Sequence, residues 1–349
     1  MAKKNKVFFY RALLLIVSIV FIVILFKQFG TIQKAIEVFS QGSWYFIFAI
    51  IAIQVLGIVN KGAFYQTLYD YFGAKDSLKR LITLSLAANF INLAAPTAGL
   101  SGMAIFISEA KRHGMSKSRA TFVNVFAYFI YYAVFLLILL FGLFYLLFNH
   151  QLYQYQIATA AILFGMILII FIIMIAAFEE AARLEKVFEL IATATNFFTR
   201  FLRRGENLIK KSDVRLLSFE INESLKIIRK KFRGLWLPVF HVFLIEIIDL
   251  LTLYYLFLAF RFPIYPGVLI TVYAIGILFT LVSITPGGIG VVEATMILVL
   301  TNLKVPVELA TIVVFAYRII AYWLPFGAGY FAFRSFQSEK INQLQDGSR

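Results

Sequence analysis

Long apolar runs separated by short polar tracts dominate the chain: 8–26, 44–60, 81–108, 120–148, 157–178, 235–260, 267–302 and 308–333. Runs of about 20 residues match the helix length that crosses a bilayer. The first run follows Lys3, Lys4 and Lys6 and ends in Leu25-Phe26-Lys27-Gln28 with no small-residue cleavage site, so it predicts a retained span rather than a signal peptide. Two runs differ from the rest, because a proline with glycines close behind it breaks each: Ala95-Pro96-Thr97-Ala98-Gly99 and Pro286-Gly287-Gly288.

Loop charge sets the orientation, since cytoplasmic loops carry the excess of Lys and Arg. The tract 179–234 holds thirteen basic residues against eight acids and is expected inside, as is 111–119 with Lys111, Arg112, Lys117 and Arg119. The tract 149–156 has no Lys or Arg and is expected outside. A single crossing by 81–108 would put both basic tracts outside. The spacing therefore predicts that 81–95 enters from the cytoplasm, breaks at Pro96 and returns through 100–108. Proline lacks an amide hydrogen and clashes with the preceding turn, which suits such a break. For 267–302, parity admits either a hairpin or two crossings. The expected fold is all-α and polytopic, with about six full spans plus two Pro/Gly-broken re-entrant hairpins and both termini cytoplasmic.

The broken segments resemble each other. Pro96 and Pro286 are 190 residues apart, and at that offset Ala120-Thr121-Phe122-Val123 faces Ala310-Thr311-Ile312-Val313. With one residue of slip, Phe126-Ala127-Tyr128-Phe129-Ile130 matches Phe315-Ala316-Tyr317-Arg318-Ile319. The chain reads as one integral-membrane domain, 1–349, holding a first repeat unit at 81–148, a cytoplasmic elbow at 179–234 and a second unit at 267–333. One unit opens inward and the other outward, the inverted arrangement found in many transporters. The alternative is that both prolines are packing kinks.

Composition narrows the function class. The 349 residues are 61% hydrophobic and 15% charged, against about 45–50% and about 25% in soluble domains. With that apolarity, a net charge of +15 does not read as nucleic-acid binding. Cysteine is absent, which removes disulfides, thiolate metal sites and cysteine nucleophiles. No metal or cofactor is expected.

Charges at membrane depth cost about 2.5–3.5 kcal/mol or more, so each needs a reason. Glu246 and Asp249 share one face of 235–260, with His241 two turns before Asp249. Glu293 follows the second break, and Arg318 sits in Tyr317-Arg318-Ile319-Ile320-Ala321-Tyr322-Trp323-Leu324-Pro325. Arg318 either neutralises an acid inside the bundle or binds a ligand. Three acids against one arginine suit a cavity that accepts a cationic headgroup or a coupling ion. Glycines such as Gly99, Gly287, Gly288 and Gly290 let backbone approach a ligand, and the helix start beyond each break offers amide donors to a phosphate. Asn89 and Asn92 either satisfy the first break or line the cavity. In the elbow, Leu184, Val187, Phe188, Ile191, Thr195, Phe198, Phe201 and Leu202 fall at helical spacing, with Arg200, Arg203 and Arg204 at the end, and a second candidate helix at 214–231 ends in Lys226, Arg229, Lys230 and Lys231. Both fit an interfacial helix against anionic lipid or a solvated elbow.

Asn92-Leu93-Ala94-Ala95-Pro96-Thr97-Ala98-Gly99-Leu100-Ser101-Gly102, then Pro286-Gly287-Gly288-Ile289-Gly290-Val291-Val292-Glu293, then Tyr317-Arg318 with Tyr322-Trp323-Leu324-Pro325, resemble the lysylphosphatidylglycerol synthase transmembrane family, also called the flippase-like domain. The likeness covers nearly the whole chain. In multiple-resistance relatives this domain precedes a soluble aminoacyl-transferase domain and moves the aminoacylated lipid across the membrane. This chain stops at Arg349, so the resemblance implies translocation rather than lipid aminoacylation. Many members carry an acid–arginine pair in the span after the first break; here Ala127-Tyr128-Phe129 stands there, with Asn124 as the nearby polar group.

These readings converge on a transporter of the cell membrane that moves a phospholipid, aminoacylated or glycosylated, between leaflets. Glu246, Asp249 and Glu293 are expected at a cationic headgroup or ion. Arg318, Tyr322 and the backbone around Pro96, Gly99, Pro286, Gly287, Gly288 and Gly290 are expected at the phosphate. The alternatives are a membrane-embedded enzyme acting on lipid-linked substrates, with Glu246 and Asp249 as paired carboxylates, and an accessory partner for a separate lipid synthase. No His-Glu-x-x-His or Gly-x-Ser-x-Gly motif supports the enzyme.

Overall fold

The computed structural model describes residues 43–94, 100–109, 112, 114–148, 211–283 and 285–346, with a few isolated positions between 161 and 193. The expected spans 8–26 and 157–178, the tract 149–156, the first break with Pro96 and Gly99, and the elbow before 211 lie outside the described residues. In chain order the helices are α1 (Trp44–Tyr71), α2 (Leu78–Ala94), α3 (Leu100–Ser108), α4 (Lys117–Phe148), α5 (Lys211–Lys230), α6 (Trp236–Ala259), α7 (Pro266–Val282), α8 (Val291–Asn302), α9 (Val307–Arg318) and α10 (Leu324–Asp346). A π-turn, Ile319–Trp323, joins α9 to α10 without interrupting the helix. Pro325 lies just beyond it and has no amide to offer the carbonyl of Ala321. The protein is an all-α, polytopic membrane protein, and among the described residues four helical segments are long and apolar enough to cross a bilayer.

The run read as 44–60 is longer than its apolar stretch. Helix α1 continues past Lys61 to Tyr71, because Phe64, Leu68 and Tyr69 bury against α2 and α4 on its inward face. The other described spans agree with the sequence reading to within a few residues, except that α10 runs on to Asp346 as a polar extension.

Hydrogen bonds and ion pairs sort the helix ends. At one end, Arg80 at the start of α2 pairs with Glu109 after α3 (2.7 Å) and with Glu339 of α10; Arg112 also reaches Glu339, and Lys340 lies 3.7 Å from Glu109. Arg119 donates to the carbonyl of Phe72 at 2.6 Å, which brings the start of α4 and the end of α1 there too. At the other end, the amide of Ser43 donates to Ala259 O at 3.2 Å. Segment 78–109 thus begins and ends together. Its arms α2 and α3 fold back on each other, with Asn92 Oδ1 accepting from the amide of Gly102 at 2.6 Å and from Ser101 Oγ at 3.2 Å. Arms α7 and α8 form a second antiparallel pair, with Gly276 facing Met296 and Gly288 facing Thr280. The twelve residues of α8 span about 18 Å, too short for a crossing of about 30 Å.

Each hairpin has its own core. Around α2 and α3 the core takes the first half of α4, the apolar face of α5 and Phe326, Phe333 and Phe336 of α10. Around α7 and α8 it takes the second half of α4, the second half of α6 and most of α9. Helix α10 lies so close to α2 that a Cβ on Gly329 would sit 2.6 Å from the carbonyl oxygen of Leu86 and 2.8 Å from Phe90 Cβ. Backbone cannot step aside as a rotamer can, so Gly329→Ala is expected to lower stability by about 1–3 kcal/mol, read as a drop in melting temperature of the detergent-solubilised protein. An unchanged melting temperature would show that α10 slides on α2 freely.

Candidate functional site

Between the two cores lies a cavity of about 600 Å³, within the roughly 300–1,000 Å³ of sites that hold small ligands. Helix α1 contributes Lys61 and Tyr65; α2 contributes Asn89 and Asn92; α4 contributes Tyr128, Tyr131 and Tyr132; α6 contributes Asp249. Tyr273, Thr280 and Gly287 come from the second hairpin, and Tyr317, Arg318 and Tyr322 from α9 and the π-turn. Seven tyrosines therefore surround one acid and two cations. The lining is aromatic with hydroxyls at its edges, which accommodates a polar group without full hydration.

The second break forms one wall, and a closed set of bonds fixes its shape. Glu293, three residues into α8, accepts the amide of Gly290 at 2.7 Å through Oε2. Its Oε1 accepts Arg318 Nε at 2.6 Å, and Arg318 Nη2 donates to the carbonyl of Gly287 at 2.9 Å. The guanidinium carbon lies 4.1 Å from the centroid of the Tyr322 ring. Arg318 and Tyr322 are four residues apart in a continuous helical segment, so both present the same face to the break. Glu293 and Arg318 are buried, so each offsets the other's charge.

The expected site residues therefore fall into separate groups. Glu293, Arg318, Gly287, Gly290 and Tyr322 meet in this clamp. Gly288 packs on Thr280 and donates its amide to Thr285 O at 2.9 Å. Asp249 lines the cavity and accepts Gln54 Nε2 at 3.2 Å. Glu246 is fully buried, accepts Tyr273 Oη–H at 2.6 Å through Oε2, and is not among the lining residues. Although Glu246 and Asp249 share a helix face, Tyr273 and Gln54 hold them apart chemically. His241 ties α6 to α1, its Nδ1 2.6 Å from Asn60 Oδ1 and its carbonyl accepting Asn60 Nδ2 at 2.9 Å. Pro286 lies in the break's tight turn, Pro286–Gly288.

At the first hairpin Asn92, a neutral amide, ties the two arms together and reaches the following span. It bonds the opposite arm and donates to Tyr128 Oη at 2.9 Å. Tyr128 and Tyr317, equivalent in the internal alignment, both line the cavity. Asn124 is used elsewhere, donating to Tyr69 Oη at 3.2 Å and to Ala120 O at 2.8 Å.

Lys61 escaped the sequence reading, as did every lining tyrosine except Tyr322. The lysine lies beside Asn60 and Gly62, a triplet that mimics the end of a span. The signal that could have found it is the aromatic run Phe64-Tyr65 that resumes at once.

The sequence pattern of the family described as "Lysylphosphatidylglycerol synthase TM region" matches residues 11–329. The chain is also similar to the "UPF0104 membrane protein MJ1595" of Methanocaldococcus jannaschii, with 26% identity over 329 residues, covering 92% of this chain and 93% of that protein.

Proposed function

From the premise that this chain belongs to the lysylphosphatidylglycerol synthase TM-region family, we propose that it translocates a phospholipid between leaflets, passing the headgroup through the cavity while the acyl chains stay in lipid. The observation that carries this reading is the cavity itself: about 600 Å³ lined by Asp249, Lys61 and seven tyrosines, at the junction of two broken helices. Broken helices at membrane depth are tolerated where freed backbone is buried or lines a wet space. That the two hairpins open at opposite ends of the bundle supports an inverted pair of re-entrant elements, and rocking of one against the other would alternate access.

The end carrying Arg80, Arg112, Arg119 and Lys340 is the cytoplasmic one in this reading, with both chain termini there and the protein in the cell membrane. Helix α5 supports it. Ile221, Leu225 and Ile228 pack into the core around the first hairpin, while Arg229, Lys230, Lys231, Phe232 and Trp236 are exposed, as suits an anionic lipid surface. A separate lipid synthase would supply an aminoacylated or glycosylated substrate. The separation of the two acids supports transport over catalysis: Glu246 is held by Tyr273, and Asp249 faces the cavity without it.

Reconstituted vesicles test this reading. Wild-type protein should move headgroups from the inner to the outer leaflet, and Asp249→Asn should slow the transfer by roughly tenfold, as expected for one charge-assisted hydrogen bond. Equal rates in the two proteins, or a lipid whose mass changes during incubation, would count against translocation.

A further inference from the structure

Lys61 is the only charged residue of α1 before Asp70, and it lines the cavity. An ammonium group at membrane depth is retained only for a reason. Its neighbours fix which face of α1 it leaves from. Asn60 is bonded to the backbone and ring of His241 on α6. A Cβ on Gly62 would collide with Ile82 of α2, so α1 is pressed against that helix. These two contacts fix the face of α1 from which Lys61 projects, while its four-carbon stem stays free to move.

Two of the nearby acids are engaged, Asp249 with Gln54 and Glu293 with Arg318. Glu246 is bonded to Tyr273 through Oε2, while its Oε1 has no hydrogen-bond partner and feels the Lys61 charge from beyond ion-pair distance. Among the described residues Lys61 forms no hydrogen bond or ion pair. An ammonium with no direct ion pair, in a cavity lined by seven tyrosines, can take a mobile anion as its contact partner. Depth gives the orientation. Helices α1 and α6 run antiparallel, with Asn60 level with His241 and Gln54 level with Asp249 and Thr252. Asp249 is eight residues beyond His241, so its backbone lies about 12 Å deeper than that of Lys61, measured from the basic end of the bundle.

We propose that Lys61 binds the phosphate of an amphiphilic phosphate ester that enters from the basic end, with the distal, hydrogen-bond-donating part of its headgroup directed toward Asp249. A lysine serves this role as a point charge that can follow a moving phosphate. The proposal deepens the translocation reading, on which it rests for placing the phosphate in a lipid; a free phosphate offers the same chemistry.

Native mass spectrometry of the purified full-length protein tests the assignment, using phosphatidylglycerol and a phosphate-free diacylglycerol glycolipid with the same acyl chains as probes. Lys61→Gln should lose bound phosphatidylglycerol by roughly tenfold to a hundredfold while keeping the glycolipid, and Lys61→Arg should retain both. Millimolar inorganic phosphate that leaves the lipid bound identifies a lipid phosphate; phosphate that displaces it identifies a soluble one, and either supports the site. Wild-type retention of phosphatidylglycerol by Lys61→Gln overturns the proposal. So does parallel loss of both lipids, which marks a collapsed cavity. Recovery in Lys61→Gln/Glu246→Gln also overturns it, because it would make the lysine a counter-ion. Lys61-dependent binding without headgroup transfer by the wild type would sink translocation and leave the phosphate site standing.

Discussion

Arg318→Ala is expected to destabilise the protein by about 3–5 kcal/mol, the cost of leaving a buried charge without its partner. Arg318 and Glu293 are 5% and 8% exposed, so water cannot take over for the guanidinium. The change removes the donor to Glu293 Oε1, the donor to the Gly287 carbonyl and the cation beneath the Tyr322 ring. Only the Gly290 amide still serves the carboxylate. The arginine's effect is therefore conditional on the acid. In Arg318→Ala/Glu293→Gln the stranded charge is gone, and more than half of the loss should return. Arg318→Lys should fall between, because an ammonium cannot span Glu293 and Gly287 as a planar fork does. Thermal unfolding in detergent measures all three. Equal melting of the single and double variants would show that the ion pair does not hold the break.

That clamp was partly legible in the sequence. A proline followed by glycines marks a break, and an arginine opposite three acids in an apolar chain demands a partner. Which acid pairs with it was not legible, because Glu246, Asp249 and Glu293 all lie at mid-depth and only tertiary packing chooses among them. The spans were legible because lipid exposure forces continuous apolar runs. The cavity lining was legible in Asp249, Gly287, Arg318 and Tyr322, but not in Lys61 or the other six tyrosines. Tyrosine is common here, with 18 in the chain, and in an apolar helix a tyrosine facing a cavity reads like one facing a core. The internal match of Tyr128 with Tyr317 was a further local clue, and both prove to line the site. Lys61 changes the charge balance read from sequence: with Glu293 offset by Arg318, two acids face one lysine rather than three acids facing one arginine.

Gly287→Ala is expected to cost about 2–5 kcal/mol, combining two effects of similar size. The residue has φ +58° and ψ 18°, a left-handed conformation that costs other residues about 1–2 kcal/mol. A Cβ there would also overlap the ring and hydroxyl of Tyr322, and overpacking of this kind costs about 1–3 kcal/mol. The ring has little room to retreat: it is 4% exposed, T-shaped against Trp323 at 5.1 Å and stacked with Phe326 at 5.9 Å. A double-mutant cycle separates the effects. Tyr322→Ala removes the obstacle but not the backbone strain, so the double variant should be more stable than the sum of the single losses by about 1–3 kcal/mol. Additive losses would mean that the ring steps aside and only the φ penalty remains. Because the Gly287 carbonyl is the acceptor for Arg318 Nη2, a displaced break would also loosen the arginine. The same cycle run on headgroup transfer then tests whether the shape of this wall, and not merely its presence, governs passage through the cavity.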